Sequence, residues 1–297
     1  MDVKSRLVLA VIYLLSLLTL KGARRLGRFI GWFLRISNST MYKVTRKNIE
    51  LCFPEQDAAT REAFIRESLF HTGCQIAETG LAWGGDPKQR AKAISFIKGE
   101  QNPEVLEGAL AKGKGVIILV PHFGNWEFFA NFLPQKCELM AMYKEAKMPV
   151  MEQRMLEARS QSGIQMVSAG REGVVTFIKH YTKGGTCLIL PDQEPAPKSG
   201  VWSTYFGVPA LTPKFVHYLI KKNPEGTVVL AHMKRTDEGF EVIYSEVDQD
   251  IYNADMEISA AAMNRTFERC IKKDGAEQYQ WDYKRFKKNP EKFYRNL

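Results

Sequence analysis

His122 and Glu127 close the segment Gly115-Val-Ile-Ile-Leu-Val-Pro-His-Phe-Gly-Asn-Trp-Glu127. An imidazole can take the proton of a hydroxyl group, and a carboxylate beside it fixes the tautomer and stabilises the imidazolium. Such a dyad suits transfer onto an alcohol without an enzyme nucleophile. The elements that must hold it lie on either side. Val116–Val120 is a continuous apolar run, the pattern of a strand covered on both faces. Gly124 permits a sharp turn, and Asn125 can cap a helix beginning Trp-Glu-Phe-Phe. A strand end brings the imidazole to the sheet's rim, where α/β proteins place their ligands. A carboxylate in the next helix's first turn can fold back against it. The same residues also suit a plainer arrangement, in which His122 ends a strand and Glu127 sits favourably at a helix N-terminus. Spacing alone leaves both readings open.

Asp192 and Gln193 repeat the geometry, since the apolar run Thr186–Leu190 exits through Pro191-Asp192-Gln193. Two such exits can line one pocket if their strands are neighbours; otherwise Asp192 is a turn or cap residue. Arg159 falls on an expected helix ending at Gln161, where a solvated side chain is the ordinary outcome.

His-Phe-Gly-Asn-Trp-Glu resembles the His-x4-Asp/Glu motif of the glycerolipid acyltransferases, in the form used by the bacterial lipid A late (lauroyl/myristoyl) acyltransferases. The resemblance continues in Arg159, in Pro191-Asp192-Gln193, in Gly200-Val-Trp-Ser-Thr-Tyr-Phe-Gly-Val-Pro-Ala-Leu-Thr212 and in Gln280-Trp-Asp-Tyr-Lys-Arg-Phe-Lys287, and so covers most of the chain. It implies an O-acyltransferase moving a saturated fatty acyl group from an acyl-carrier-protein or coenzyme A thioester to a hydroxyl of a lipid A precursor. That is a late step of lipopolysaccharide or lipooligosaccharide assembly. His122 would be the base with Glu127 as its partner, and Arg159, Asp192 and Gln193 would bind substrate. Arg159 would offer a bidentate fork to a phosphate or the acyl donor. The oxyanion would need donors, expected among the backbone amides of Phe123–Asn125. No metal or bound cofactor is implied. Pro121 before the histidine and Glu127 in place of Asp both occur in the lipid A branch. Pro224-Glu-Gly-Thr227 imitates a phosphate-binding block of other glycerolipid acyltransferases, but Val228 stands where that block has arginine, and the segment reads as a turn.

The chain has 297 residues and a net charge of +9, without a Pro/Gly/Ser-rich linker or an internal repeat. One domain of residues 37–297 is expected behind an N-terminal appendage of residues 1–36. The basic balance favours a negatively charged partner: anionic lipid surface, acidic carrier protein or nucleic acid. No nucleic-acid motif supports the last. The five cysteines are scattered, without a Cys-x-x-Cys pair, as suits a reducing compartment. Leu7 to Leu20 is uncharged over fourteen residues, about 21 Å of helix at roughly 1.5 Å per residue, against a hydrocarbon core of about 30 Å. It lacks a small-x-small cleavage site, and Arg24, Arg25 and Arg28 follow it. An uncleaved anchor is therefore expected, with the catalytic domain on the cytoplasmic face; the resemblance implies that the membrane is the bacterial inner membrane. Gly22–Ile36 mixes arginines with Leu26, Phe29, Ile30, Trp32 and Phe33, the composition of an interfacial helix.

Helices are expected over 40–85, Pro103–Lys112, Pro149–Gln161, Gly173–Tyr181, Thr212–Lys222 and Met256 to about Phe286. Strands are expected at Glu138–Tyr143 and Ile164–Ser168, with Thr227–Lys234 and Phe240–Val247 paired across Asp237-Glu-Gly239. This alternation indicates an α/β sandwich around a mainly parallel sheet flanked by helices; the resemblance makes it a single glycerolipid-acyltransferase-like domain with an N-terminal membrane-anchoring helix. His71, Cys74 and Glu78 share helical spacing but read as packed or solvated side chains rather than metal ligands. Trp202, Tyr205, Phe206 and Val208 suit the core or an acyl-chain wall, and Lys284, Arg285, Lys287 and Lys288 suit phosphates at a membrane. Two other readings stay in play: the same chemistry on another amphiphile, such as a mannosylated or ornithine lipid, and a non-catalytic membrane-associated binding protein.

Overall fold

A computed structural model describes residues 3–84, 86–144, 148–295 and 297. Four helices come first: α1 (Val3–Ser16), α2 (Leu20–Ile36), α3 (Thr40–Cys52) and α4 (Ala58–Ala82). Alternation follows through α5 (Pro87–Ser95), β1 (Ile97–Gln101), α6 (Pro103–Ala111), β2 (Val116–Leu119), α7 (Phe129–Phe132) and β3 (Leu139–Tyr143). Next come α8 (Pro149–Gln161), β4 (Ile164–Ser168), α9 (Arg171–Thr182) and β5 (Thr186–Ile189). The remainder is a hairpin of β6 (Gly200–Tyr205) and β7 (Val208–Pro213), then α10 (Phe215–Lys222), β8 (Thr227–Arg235), β9 (Phe240–Glu246) and α11 (Met256–Asp274).

Seven strands form one sheet in the order β1-β9-β8-β2-β5-β3-β4. Five run parallel, and the β8–β9 hairpin turns β9 and β1 the other way. Every residue of β2 is buried, as a central strand with two covered faces requires. Alternate side chains go to opposite cores. Ile117, Leu119, Cys187, Val228 and Leu230 join α9, α10 and α11 on one face. Val116, Ile118, Leu188, Val229 and Ala231 join the core shared with α5, α6 and α7 on the other.

The N-terminal helices are built into this body. The uncharged run Leu7–Leu20 is not one helix: α1 ends at Ser16, and Thr19 caps α2 by accepting from the Gly22 amide. No helix among the described residues is long and apolar enough to cross a membrane, so the expected N-terminal anchor finds no support as a spanning helix. Instead, Leu20, Ala23, Gly27 and Gly31 form a stripe at helical spacing that lies on α4. A Cβ placed on Gly73 would come within 2.0 Å of the Gly27 carbonyl oxygen, so the two backbones touch.

Two other expectations change. Residues 208–213 pair with β6 and shorten the expected helix to α10. α11 stops at Gly275, whose φ of +116° ends it, and residues 276–286 form a short 3-10 turn and irregular backbone. Of the two settings the sequence left open for Tyr205 and Phe206, they take the core, packing among Phe53, Trp281 and Phe286. α5 and β1 lie in a stretch, 87–101, whose polar composition carries no clear periodicity.

Candidate active site

β2 and β5 are adjacent and parallel, with Leu119 level with Ile189. Continuing each chain by three residues brings His122 level with Asp192. The His122 Nδ1 lies 2.6 Å from Asp192 Oδ1, and the His122 amide donates to Asp192 Oδ2 at 2.8 Å. A carboxylate partner requires Nδ1 to carry the proton, leaving the Nε2 lone pair free. The His122 side chain keeps 14% of its surface exposed, whereas that of Asp192 has none. Burial pushes the Asp192 carboxyl up, but the charge of His122 and hydrogen bonds from its ring and amide hold it below the ordinary aspartate value.

Glu127 does not supply the expected hydrogen bond to His122. Its backbone sits where the sequence puts it, in a 3-10 turn (126–128) in which the Glu127 amide donates to Asn125 Oδ1. Its carboxylate turns instead to Arg159 Nη2, at 2.9 and 3.0 Å, and to Trp83 Nε1, at 2.9 Å. Arg159, carried by α8, is thereby held against Glu127, with its side chain 20% exposed. The Gln193 side chain donates to Gln280 Oε1 at 3.0 Å, so this residue ties the β5 exit to the C-terminal segment.

The amides expected to meet an oxyanion are already used. Phe123 N donates to Pro121 O, Gly124 N to Gln278 O and Asn125 N to Met233 O. This pins the loop: a Cβ on Gly124, at φ +60°, would fall 1.7 Å from the Met233 carbonyl oxygen. Only glycine fits there.

The loop has a second support that sequence reasoning passed over. Glu78 on α4 and Arg235 at the end of β8 form a buried ion pair at 2.7 Å. Glu78 accepts from the Asn125 amide group at 2.8 Å, and Arg235 donates to the Gly124 carbonyl and to His71 Nδ1. Among His71, Cys74 and Glu78, then, all three are packed side chains. The polar stripe on α4 signalled Glu78; its partner, over 150 residues away, left no local mark. From the other side the C-terminal segment closes the loop, since Gln280 N donates to His122 O. Trp126 packs edge-on against the His122 ring at 4.9 Å between centroids. With Gly124, Gln280 and Asp282 it lines a cavity of about 160 Å³ beside the histidine. Burial pushes the Asp282 carboxyl up, with His122 opposing.

In the basic segment 284–288, Arg285 is not available to a membrane. It is buried, donates to the Leu211 carbonyl at 2.8 Å and lies over the Tyr205 ring.

The comparisons with known proteins agree with one another. The family model of bacterial lipid A biosynthesis acyltransferases matches residues 3–288. The lipid A biosynthesis palmitoleoyltransferase of Escherichia coli (strain K12) is 27% identical over 266 residues, covering 89% of this chain and 85% of that protein. The lauroyltransferase of the same organism is 26% identical, covering 84% of this chain and 80% of its own length. Its myristoyltransferase is 28% identical over 202 residues, 66% of this chain and 58% of its own. A paired histidine at the exit of two parallel strands, within a match running from α1 into the basic C-terminal segment, leads to one conclusion: this chain belongs to the bacterial lipid A biosynthesis acyltransferases and is an O-acyltransferase.

Proposed function

We propose that the protein transfers a fatty acyl group from a thioester of acyl carrier protein, or of coenzyme A, to a hydroxyl of a lipid A precursor, with His122 as the base. The observation that carries the mechanism is the 2.6 Å contact between His122 Nδ1 and Asp192. It fixes the tautomer in which Nε2 accepts the hydroxyl proton, and the buried carboxylate stabilises the imidazolium that forms. The acceptor oxygen then attacks the thioester carbonyl carbon. As the tetrahedral intermediate collapses, the carbon–sulfur bond breaks and the imidazolium proton goes to the departing thiolate. With the loop amides engaged, Arg159 is the group assigned to the donor. Glu127 holds it through one guanidinium nitrogen, and no further partner is recorded among the described residues. Glu127 thus enters the mechanism as the anchor of Arg159. No bound cofactor is needed for these steps.

The reading includes attachment to the cytoplasmic face of the inner membrane. Val3, Leu7, Val11 and Leu14 form an exposed apolar stripe on α1, and Phe29, Trp32, Phe33 and Ile36 form another on α2. Such stripes suit helices lying in the headgroup region rather than spanning the bilayer.

The test is acyl transfer by the purified protein, supplied with an acyl-carrier-protein thioester and a lipid A precursor and read by mass spectrometry. Transfer is expected, and His122→Ala should abolish it; full activity in that variant would refute the mechanism.

A further inference from the structure

α2 carries Lys21, Arg24, Arg25, Arg28 and Arg35 and no acidic residue. Three of these cations lie in its first two turns, where the helix dipole disfavours positive charge. Lys21–Arg25 and Arg24–Arg28 are also like-charged pairs at i, i+4, a second destabilising arrangement. Among the described residues the compensation is partial, and Arg35 at the other end of the helix pairs with Glu62. Arg24 meets Glu78 at 3.5 Å and the carbonyls of Thr236, Asp237 and Gly239, but no ion pair is recorded among the described residues for Lys21, Arg25 or Arg28. Arg28 lies over the Phe70 ring at 4.8 Å.

These side chains share one cleft of about 450 Å³ between α2, α4 and the β8–β9 turn. Lys21, Arg24, Arg25, Arg28 and Arg235 line it, and the carboxylates facing it are Glu67 and Asp237, with Glu78 behind the two buried arginines. His71 faces it too. Its Nδ1 accepts from Arg235 at 2.9 Å, so Nε2 carries the proton, with a Glu67 oxygen 3.8 Å away. Burial and the adjoining arginines push the His71 imidazole down to about 2, so it stays neutral. The cleft offers cations in excess, guanidinium forks and a neutral N–H donor, the chemistry that holds a doubly charged phosphate.

Position narrows the ligand. His71 and Gln278 line both this cleft and the cavity beside His122, so the two adjoin. The same helix that supplies the cations presents Phe29, Trp32 and Phe33 to solvent, giving apolar tails a surface next to a seat for a charged head. We propose that the cleft binds a phosphate monoester carried by a membrane amphiphile and thereby sets which hydroxyl of that amphiphile reaches His122. The binding stands on the cleft alone; the consequence for the hydroxyl rests on the acyl-transfer reading.

The test uses the full-length protein and phosphatidylcholine vesicles doped either with phosphatidic acid, which bears a monoester, or with phosphatidylglycerol adjusted to the same surface charge. Wild type should bind the phosphatidic acid vesicles about tenfold more tightly, the worth of one charge-assisted hydrogen bond. Lys21→Gln/Arg25→Gln should lose that preference, while Lys221→Gln/Lys222→Gln on α10, with the same loss of charge, should keep it. Equal binding of both vesicles by wild type would overturn the proposal, as would a preference surviving in Lys21→Gln/Arg25→Gln. Kinetics separate the source of the phosphate: the α2 variant should raise the KM for a phosphorylated acceptor about tenfold and leave that for the thioester donor unchanged. A rise confined to the donor would overturn the assignment to the amphiphile. The vesicle measurement needs no turnover, so it stands even where acyl transfer is not observed.

Discussion

At the scale of single residues, the proposed mechanism gives the carboxylates of Asp192 and Glu127 different tasks. Asp192→Asn keeps shape but removes the charge facing the imidazolium and permits the wrong tautomer. Its kcat should fall about a hundred- to ten-thousand-fold, the range for a lost general base, with little change in KM. His122→Ala/Asp192→Asn should be no worse than His122→Ala, because both fail at the same step. Glu127→Gln should act through Arg159, raising the KM for the donor, and Glu127→Gln/Arg159→Ala should show the same lack of additivity. Should Glu127 instead prove non-additive with His122 while Asp192 is additive, the partner assignment is wrong. Acid gives a separate check. The Asp192 carboxyl is held below its ordinary value, so its stabilising contribution is complete above about pH 4 and is lost as pH falls through the folded-state value. On acidification below about pH 4, thermal melting should show wild type losing stability more steeply than Asp192→Asn.

At the scale of elements, the contact of α2 with α4 is backbone on backbone. Gly73→Ala leaves no room without parting the helices, and overpacking of this kind costs about 1–3 kcal/mol, to be read as a lowered melting temperature. Deleting residues 1–36 strips the cover from α4 and should yield aggregated protein rather than a soluble catalytic domain; a monodisperse, folded truncation would contradict this. Much of the sheet was legible beforehand because each buried strand is an apolar run ended by Gly, Pro or a charge, as at Val116–Val120 and Thr186–Leu190. The hairpin of β6 and β7 was not, since its aromatics suit a core, a loop or a groove equally. His122 and Asp192 were legible as strand exits. Their pairing was not, because it depends on strand order, and neither was the turning away of Glu127, which depends on Arg159 and Trp83 arriving from two other helices.

At the scale of the whole molecule, apolar stripes on α1 and α2 and the cationic cleft lie on the same N-terminal helices. Phe29→Ser/Trp32→Ser should reduce the fraction of protein sedimenting with membranes while leaving its melting temperature nearly unchanged, since both side chains are exposed and their rings pair with each other at 5.7 Å. Salt should weaken wild-type attachment without releasing it, because screening acts on the cations and not on the apolar contact. Complete release by salt would place attachment on charge alone.

The loop that bears His122 is clasped from both directions of the chain: by Glu78 and Arg235, and by Gln278 and Gln280 close to the C-terminus. The order of synthesis gives this a consequence. A nascent chain has its histidine out of the ribosome long before Asp192, and Asp192 long before Gln280. In the proposed mechanism the base, its partner and the clasp therefore come together only once Gln280 has emerged, and a chain halted short of it has every residue assigned to catalysis but not the clasp on their loop. Ribosome-stalled intermediates that end before Gln280 should therefore be inert in acyl transfer even where they are already compact.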